Sequence, residues 1–345
     1  MPKRTTSLKV LVPLAVLLGQ ALLAELVLRV AVRPPPPWTP EKQMALIAEG
    51  ERRYPPATPL FASRDEQRPR LRHKNFPFLG VELRDYPVSL AKADHTTRIV
   101  GLGDSFAWGW GVLDNRRTFF KLLEHWLRTS DPGRPVEVLN AAQPGAPASY
   151  YPEFLDSLGF RLDPDLVVVS FNLNDAYVKH ASITVDAKTA RQLEQTMGFW
   201  SRHSRLVRFV RERLLRARIR RDFIANIHEA YLGSEKAQRW ARAQEDLRRV
   251  ATGCRKRGIA LLVVVFPLLV DLDRDYPFTA EVETIVDFCR QNGIRCLSLL
   301  PTFLGKKPEL LWTHPTNAHP NEVAHRLAAE AIYPVLLRDR LIPVR

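Results

Sequence analysis

Five apolar runs alternate with stretches of helical spacing between residues 98 and 337, and this alternation constrains the fold more than any other feature. The runs occupy residues 98–102, 136–139, 166–171, 259–266 and 294–299. Predicted helices cover about 117–128, 150–160, 235–257, 279–291 and 322–337, the last with Asn321 as its N-cap. Strands that alternate with helices build parallel βαβ units. We therefore predict an α/β fold: a three-layer α/β/α sandwich around a central, mostly parallel five-stranded sheet.

The N-terminus carries a candidate membrane anchor over residues 1–33. Three basic residues within Met1–Lys9 precede Val10–Ala24, which holds no charged residue, and after Glu25 the apolar pattern resumes up to Val32. A helix that crosses a bilayer needs about 20 residues. The basic flank predicts a cytoplasmic N-terminus and an exported, periplasmic body. We expect an uncleaved single-pass transmembrane helix, and a cleaved signal peptide is the alternative.

The remainder of the chain divides by composition. Residues 34–94 are rich in proline and charge and form a linker and lead-in, in which the prolines at 34–37 predict a stiff spacer and residues 81–83 a strand. Residues 95–345 hold the predicted α/β domain. The strand–helix alternation is interrupted at about 176–234, which we interpret as an arginine-rich helical insertion.

The chain is strongly basic, with a formal net charge of +14. Such a balance suits nucleic acid, an acidic polymer or a membrane surface. We expect no nucleic-acid partner, because no nucleic-acid-binding module accompanies the charge. Residues 202–221 carry nine arginines against one acid, with apolar residues at helical spacing. This segment predicts an amphipathic helix whose basic face is solvated, docks on anionic lipid headgroups, or grips an acidic polysaccharide or a protein.

Cysteine and histidine usage predicts no metal and no cofactor. The three cysteines form no disulfide framework and no CxxC pair. Cys289 and Cys296 either pair in an oxidising compartment or remain buried thiols. We interpret His314 as a surface residue and His325 as a packing residue of the last helix.

Polar residues follow several of the predicted strands, where a nucleophilic site can form. Gly103-Asp104-Ser105 ends the first strand in a tight turn, which lifts a hydroxyl to the sheet edge where α/β folds bind ligands. Gly145 follows the second strand, Asn174 follows the third, and His319 immediately precedes the last helix. A serine can act as a nucleophile when an imidazole reaches its Oγ and amide N–H groups hold the developing oxyanion.

These motifs, in this order, resemble those of the SGNH (GDSL-type) hydrolase superfamily over roughly residues 95–340. The resemblance implies a flavodoxin-like SGNH fold in which Ser105 is the nucleophile and His319 the general base. It also implies an oxyanion hole made by the backbone N–H groups of Ser105 and Gly145 and by the Asn174 side chain. Asp104 would brace the turn through hydrogen bonds without taking part in the chemistry.

The chain departs from the superfamily pattern in two places. Asn172 stands where a glycine is usual, which we expect to alter only the local turn. Thr316 and Asn317 occupy the positions three and two residues before His319, where an aspartate is expected. Either can orient the imidazole by a hydrogen bond, but neither can neutralise its charge. Two carboxylates after the fourth strand are further candidates for that role: Asp271 and Asp273.

Three functions remain open from the sequence. The first is a membrane-anchored, extracytoplasmic serine esterase that hydrolyses acyl or acetyl esters on a glycan or lipid, with Trp108 and Trp110 either lining the pocket or packing in the core. The second uses the same site for O-acyl transfer to an exopolysaccharide or cell-wall glycan, beside a membrane acyltransferase partner. The third is an inactive scaffold or binding protein, which only the missing aspartate supports.

Overall fold

The computed structural model describes residues 5–31, 38–57, 73–76, 81–85, 89–176, 203–233, 237–273 and 275–342. The chain divides into two compact units. One combines Met1–Thr39 with Ser182–Phe223, and the other combines Pro40–Ala181 with Ile224–Arg345.

The second unit is built on a five-stranded sheet in which every neighbouring pair of strands is parallel. Its strands are β3 (Thr97–Gly103), β4 (Val136–Asn140), β5 (Leu166–Asn172), β6 (Ala260–Phe266) and β7 (Arg295–Ser298). Their spatial order is β4-β3-β5-β6-β7, the flavodoxin-like arrangement. The five predicted strands and their parallel pairing are therefore confirmed.

Helices cover both faces of this sheet, which confirms the three-layer architecture. The helices of the unit that follow the lead-in are α3 (Ser105–Trp108), α4 (Phe119–Ser130), α5 (Tyr150–Ser157), α7 (Ala237–Lys256), α8 (Thr279–Gln291), α9 (Leu300–Phe303) and α10 (Glu322–Arg338). On one face α4 packs against α10, and on the other α5 packs against α7. Trp240 of α7 meets Phe288 of α8 edge to face, with ring centroids 5.5 Å apart. Asn321 caps α10 as predicted, because its side chain accepts the N–H groups of Val323 and Ala324.

The strand order places a crevice where the site residues are expected. All seven residues of β5 are buried, as are all seven of β3, because helices cover both faces of these central strands. The chain leaves β3 towards one side of the sheet and β5 towards the other, since β4 and β6 lie on opposite flanks. Ligands bind at such a switch point, beyond the carboxyl ends of the strands.

The lead-in contains more regular structure than the sequence indicates. Helix α2 (Pro40–Arg53) and strand β1 (His73–Phe76) were not predicted, whereas β2 (Val81–Leu83) lies at its predicted position and pairs antiparallel with β1. A second hairpin, of β8 (Trp312–His314) and β9 (Asn317–Pro320), precedes α10. The proline spacer at 34–37 and insertion residues 177–202 lie outside the described residues.

The first unit consists, in its described part, of helix α1 (Thr5–Ala31) and the first portion of α6 (Arg205–Tyr231). Within α1, Val12–Ala31 is long and apolar enough to cross a bilayer, and none of it is buried. The helix predicted for the arginine-rich segment is confirmed by α6, which continues ten residues beyond it to Tyr231.

The cysteines are free thiols in the structure. Cys254 and Cys289 are buried, and Cys296 is half-buried. The side chains of Cys289 and Cys296 lie next to each other, and this contact together with burial raises the pKa of the Cys289 thiol.

Candidate active site

The turn after β3 presents Ser105 at the sheet edge. Asp104 caps helix α3, and its Oδ1 accepts the N–H of Phe106 at 2.9 Å. Ser105 is the first residue of this helix, whose leading N–H groups have no acceptor within the helix. Gly109 ends the helix with φ of +81°, a conformation that glycine adopts without a steric penalty. The four-residue helix therefore holds the serine between two caps.

His319 lies against this serine. It is carried by β9, and its Nε2 is 2.8 Å from Ser105 Oγ, within hydrogen-bonding distance. The imidazole packs beside Phe106 and Trp110, with ring centroids 5.3 Å and 6.4 Å away. Burial lowers the pKa of His319 to about 4, so the ring is neutral at pH 7 and able to accept a proton.

Asn317 is the residue that orients this imidazole. Nδ1 of His319 is within hydrogen-bonding distance of Asn317 Oδ1, which also accepts the backbone N–H of His319 at 3.2 Å. An amide oxygen on Nδ1 fixes the tautomer that leaves Nε2 unprotonated and turned to Ser105. Thr316 does not face the site, because its Oγ1 lies 2.8 Å from Nδ1 of His314. Among the contacts described for His319 Nδ1, the partner is Asn317 rather than Asp271 or Asp273.

The loop after β4 is hydrogen-bonded to the turn that carries the serine. Asn140 ties the two loops together, since its Nδ2 donates to Ala107 O at 3.2 Å and its Oδ1 accepts from Ala142 N at 3.2 Å. Gln143 N donates to Gly103 O at 2.9 Å. Gly145 then turns the chain with φ of +76°, a value that favours glycine.

Asn174 completes the group from the end of β5. Its Nδ2 donates to Asp104 Oδ2 at 3.0 Å, which places the side-chain amide beside the serine turn. The unusual Asn172 caps the turn Leu173–Asp175. Its Oδ1 accepts the N–H of Asn174 at 3.3 Å, and the backbone N–H of Asn172 donates to Asp175 Oδ2 at 2.8 Å. The departure at Asn172 therefore supplies a cap to the turn that carries Asn174.

Two buried carboxyl groups lie beneath these loops. Burial raises the pKa of Asp104, although the hydrogen bonds from Asn174 and Phe106 act in the opposite direction. Burial, together with the charge of Asp104, raises the pKa of Asp175 well above its usual value. The Tyr151 hydroxyl donates to Asp175 Oδ2. Both carboxyl groups therefore stabilise the loops through hydrogen bonds to Phe106, Asn174 and Asn172.

The lead-in contributes Arg84, a residue that the sequence analysis missed. This buried arginine donates from Nη1 to Trp108 O at 2.9 Å, from Nη2 to Val112 O at 3.1 Å and from Nε to Asn115 Oδ1 at 2.7 Å. Its guanidinium also lies over the Trp108 ring, 4.4 Å from the centroid. Arg84 thereby holds the loop that follows helix α3.

The neighbouring Asp85 holds the second loop. Its Oδ2 accepts the N–H of Asn140 at 2.8 Å, and its Oδ1 receives the buried ammonium of Lys121 at 2.7 Å. Two consecutive lead-in residues thus fix the loops on either side of Ser105. In the sequence they resemble any Arg-Asp pair of a charged linker, and only the tertiary contacts of β2 distinguish them.

Further aromatic and histidine residues surround the site. Trp110, which is 43% exposed, stacks obliquely on Trp108 with centroids 5.7 Å apart and forms an outer wall beside His319. His325 is fully buried, and its Nδ1 accepts from Phe119 N at 3.2 Å, which confirms it as a packing residue. Across the part of the chain that the structure describes, no three histidine, cysteine or acidic residues are placed to hold a metal ion.

A flavodoxin-like sheet, a serine at its switch point and a neutral histidine on that serine define the class of SGNH hydrolases, enzymes that cleave ester bonds. The sequence model of the GDSL-like lipase/acylhydrolase family matches residues 102–327. The chain belongs to this family. The family match agrees with the resemblance found in the sequence motifs.

The chain is similar to several solved structures at low sequence identity. TesA is 17% identical, with 70% of this chain and 98% of that chain covered and a TM-score of 0.44. A two-domain esterase, CEX, active on acetylated mannans, is 14% identical over 71% of this chain and 50% of its own, with a TM-score of 0.39. A mutant of Axe2, an acetyl-xylooligosaccharide esterase from Geobacillus stearmophilus, is 10% identical over 71% and 95%, with a TM-score of 0.44. No curated protein sequence matches the chain.

Proposed function

We propose that the protein is a membrane-anchored serine esterase that cleaves acyl or acetyl esters of a glycan or lipid through an acyl-enzyme. The contact of 2.8 Å between Ser105 Oγ and His319 Nε2 carries this proposal. The low pKa of His319 supports it, because a neutral imidazole is the form that accepts the serine proton.

In the proposed mechanism Ser105 Oγ attacks the ester carbonyl as its proton passes to Nε2 of His319. The N–H groups of Ser105 and Gly145 and the Asn174 amide hold the oxyanion. The tetrahedral intermediate collapses as His319 returns the proton to the leaving alcohol, and the acyl group remains on Ser105. Water then attacks the acyl carbon as one of its protons passes to His319. The second tetrahedral intermediate collapses as His319 returns that proton to Ser105 Oγ, and the acid leaves. No other group is consumed.

Asn317 makes this a triad with an uncharged third member. Its Oδ1 keeps the imidazole in the reactive tautomer but adds no negative charge to stabilise the imidazolium. In triads with aspartate, loss of the carboxylate lowers turnover by about 10⁴-fold when the tautomer is also lost. Because Asn317 retains the tautomer, we expect turnover between that limit and the rate of a triad with aspartate.

The first test is ester hydrolysis by the purified full-length protein in detergent. The substrates are p-nitrophenyl esters of acetate, butyrate and octanoate. We expect turnover that Ser105→Ala and His319→Ala each abolish. The matched control is Ser157→Ala, since the hydrogen bond described for the Ser157 hydroxyl is a local one, to Phe154 O at the end of α5. Turnover that persists in Ser105→Ala contradicts the proposal.

Acyl transfer is distinguished by the time course of the same assay. A hydrolase releases p-nitrophenol steadily. An enzyme that needs a sugar hydroxyl as acceptor releases about one equivalent in a burst and then stops. A burst without turnover, relieved by added glycan, contradicts hydrolysis and establishes the transferase alternative.

The location of the protein is also part of the proposal. The apolar stretch Val12–Ala31 and the basic residues before it support a single span with the catalytic domain outside the cytoplasm. A phosphatase that folds only after export, fused after Thr39, tests the orientation. We expect an active phosphatase that stays with the membrane after alkaline extraction. An inactive fusion contradicts export, and an active fusion released to the soluble fraction indicates a cleaved signal peptide.

A further inference from the structure

The arginine-rich helix α6 starts directly on helix α1. The carboxylate of Glu25, in α1, accepts the N–H of Arg205 at 3.0 Å and the N–H of Leu206 at 2.8 Å. It also accepts the hydroxyl of Ser204 at 2.8 Å. The first N–H groups of a helix have no internal acceptor and favour a negative charge. Glu25 therefore caps α6 from another helix.

Two arginines make further contacts at this joint, the contact between α1 and the start of α6. Arg29 binds Glu25 Oε1 through Nε at 2.7 Å and donates from Nη2 to His203 O at 2.8 Å. Arg205 Nη1 lies 3.2 Å from Leu28 O in α1. The only acidic residue of α1 is thus committed to fixing the start of α6.

The position of this joint along α1 sets the depth at which α6 begins. Glu25 lies six residues before Ala31, the end of the apolar stretch. At about 1.5 Å of rise per residue, this is roughly 9 Å inside that end. Amphipathic helices that lie on membranes bury their apolar face about 5–10 Å into the headgroup boundary. The start of α6 matches this depth when α1 spans a bilayer, so the inference rests on the anchor proposed above.

The surface of α6 has the chemistry of such an interfacial helix. Val207, Val210 and Leu214 are 39%, 46% and 67% exposed, and their spacing of three and four residues aligns them in one apolar stripe. Arg211 and Arg218 border the stripe on one side and Arg213 on the other, by the same helical periodicity. Residues 205–223 contain eight arginines and two acids.

We propose that α6 lies on the membrane surface, with its apolar stripe in the bilayer boundary and its arginines on the phosphates of anionic lipids. Guanidinium groups bind phosphate oxygens in pairs of hydrogen bonds. A merely solvated face does not require three aligned, exposed aliphatic side chains. An acidic polysaccharide suits the arginines but offers nothing to the apolar stripe, so the lipid surface accounts for both features.

The test places an environment-sensitive fluorophore on the stripe of the full-length protein. Leu214→Cys, in a Cys296→Ser background, is labelled with NBD and reconstituted in phosphatidylcholine vesicles with or without phosphatidylglycerol. We expect a blue shift, and quenching by doxyl-labelled lipid, when phosphatidylglycerol is present. The matched control is a label at Glu212→Cys, on the opposite side of the helix, which stays in water.

Charge variants separate the role of the arginines from that of net charge. Substitution of Arg211, Arg213 and Arg218 by Gln removes the phosphatidylglycerol-dependent shift. The control removes three exposed arginines of α7 in the same way and keeps the shift: Arg242, Arg248 and Arg255.

Flotation of the vesicles distinguishes failure of the anchor from failure of this inference. Protein that does not float with any vesicle contradicts the anchor. Protein that floats while the label at position 214 stays aqueous on phosphatidylglycerol overturns the docking of α6. A label that responds to soluble polygalacturonate and not to phosphatidylglycerol overturns it as well and assigns the helix to an acidic polysaccharide.

Discussion

Asn317 Oδ1 lies within hydrogen-bonding distance of His319 Nδ1, two residues further along the same strand. Asn317 stands at one of the positions where an aspartate is expected in this family. This neutral partner sets the tautomer of the imidazole without raising its basicity. Because burial acts alone, the pKa of His319 falls to about 4. The arrangement gives a base that stays unprotonated in mildly acidic medium and forms its imidazolium at a higher cost in free energy.

Asn317→Asp is predicted to increase turnover. The carboxylate converts a neutral hydrogen bond into a charge-assisted one, which is worth about 1–2 kcal/mol more and corresponds to roughly 10-fold in kcat. Steady-state kinetics on p-nitrophenyl acetate measures the gain. The control is Thr316→Asp, which places the same charge beside His314 and is expected to leave kcat unchanged. A gain from Thr316→Asp alone would reverse the assignment of the orienting residue.

The pH profile is predicted to have an unusually low acid limb. Below its pKa of about 4, His319 is protonated and cannot accept the proton of Ser105, so kcat/KM falls as the pH drops through that value. In Asn317→Asp the added negative charge raises the pKa of His319, and the limb moves to higher pH. The measurement is the pH dependence of kcat/KM on an uncharged ester, compared between the wild type and Asn317→Asp. A wild-type limb near 6.5, the ordinary value for histidine, contradicts the account.

Arg84 is predicted to act as a positioning residue. Arg84→Met leaves the carbonyls of Trp108 and Val112 without their donors, and each such loss costs about 1–3 kcal/mol. We expect kcat to fall by about 10-fold to 100-fold, because the loop that follows Ser105 loses its support and the serine is displaced from His319. Arg84→Lys should restore only part of the rate, since an ammonium cannot reproduce the planar fork.

The matched control for Arg84 is Arg52→Met. Arg52 is an exposed arginine of α2 that pairs only with Glu49 among the contacts described for it. Circular dichroism and thermal unfolding verify that each variant is folded. A folded Arg84→Met enzyme with unchanged kcat would show that the loop keeps its position without the lead-in.

His325 is predicted to make the folded domain sensitive to acid. Burial lowers its pKa to about 3, below the value of about 6.5 for the unfolded chain. The unfolded state therefore binds the extra proton between these values, so the contribution of His325 to stability is full above pH 6.5 and declines as the pH falls towards 3. His325→Gln should flatten the change in Tm between pH 7 and pH 4.

The comparison with the wild type isolates His325 from other titrating groups. The buried Asp104 and Asp175 have raised pKa values, so their contributions are lost in the opposite direction, as the pH rises. Both proteins share these groups, and the difference between their Tm profiles reports the histidine alone. Parallel profiles would mean that His325 titrates equally in the folded and unfolded states.

The sheet and the four motif positions were predictable from the sequence because their signals are local. An apolar run such as 166–171 indicates a buried central strand whichever strands it pairs with. The turns after the strands meet at one edge because the carboxyl ends of parallel strands lie at the same edge of the sheet. The choice between Thr316 and Asn317 was not predictable, since it depends on which side of the β8–β9 hairpin each side chain takes. Arg84 and Asp85 were missed because their partners lie about 24 to 55 residues away along the chain.

The helix α2 was missed for a different reason. It begins at Pro40, a residue that suits the first turn of a helix, but the surrounding prolines of the lead-in favour an extended interpretation. The joint between Glu25 and α6 carries no sequence signal at all. A lone glutamate in an apolar stretch indicates only a free-energy cost of removing its charge from water. The structure shows that the N–H groups of Arg205 and Leu206 offset this cost.

The proposed esterase activity depends on the activation of Ser105 as a nucleophile by His319. The most direct measurement is covalent labelling of the full-length protein with a fluorophosphonate, followed by peptide mass mapping. We expect one adduct per chain, on Ser105, which is absent from Ser105→Ala and forms far more slowly in His319→Ala. No adduct in the folded wild-type protein, an adduct on another residue, or an equal rate in His319→Ala would contradict it.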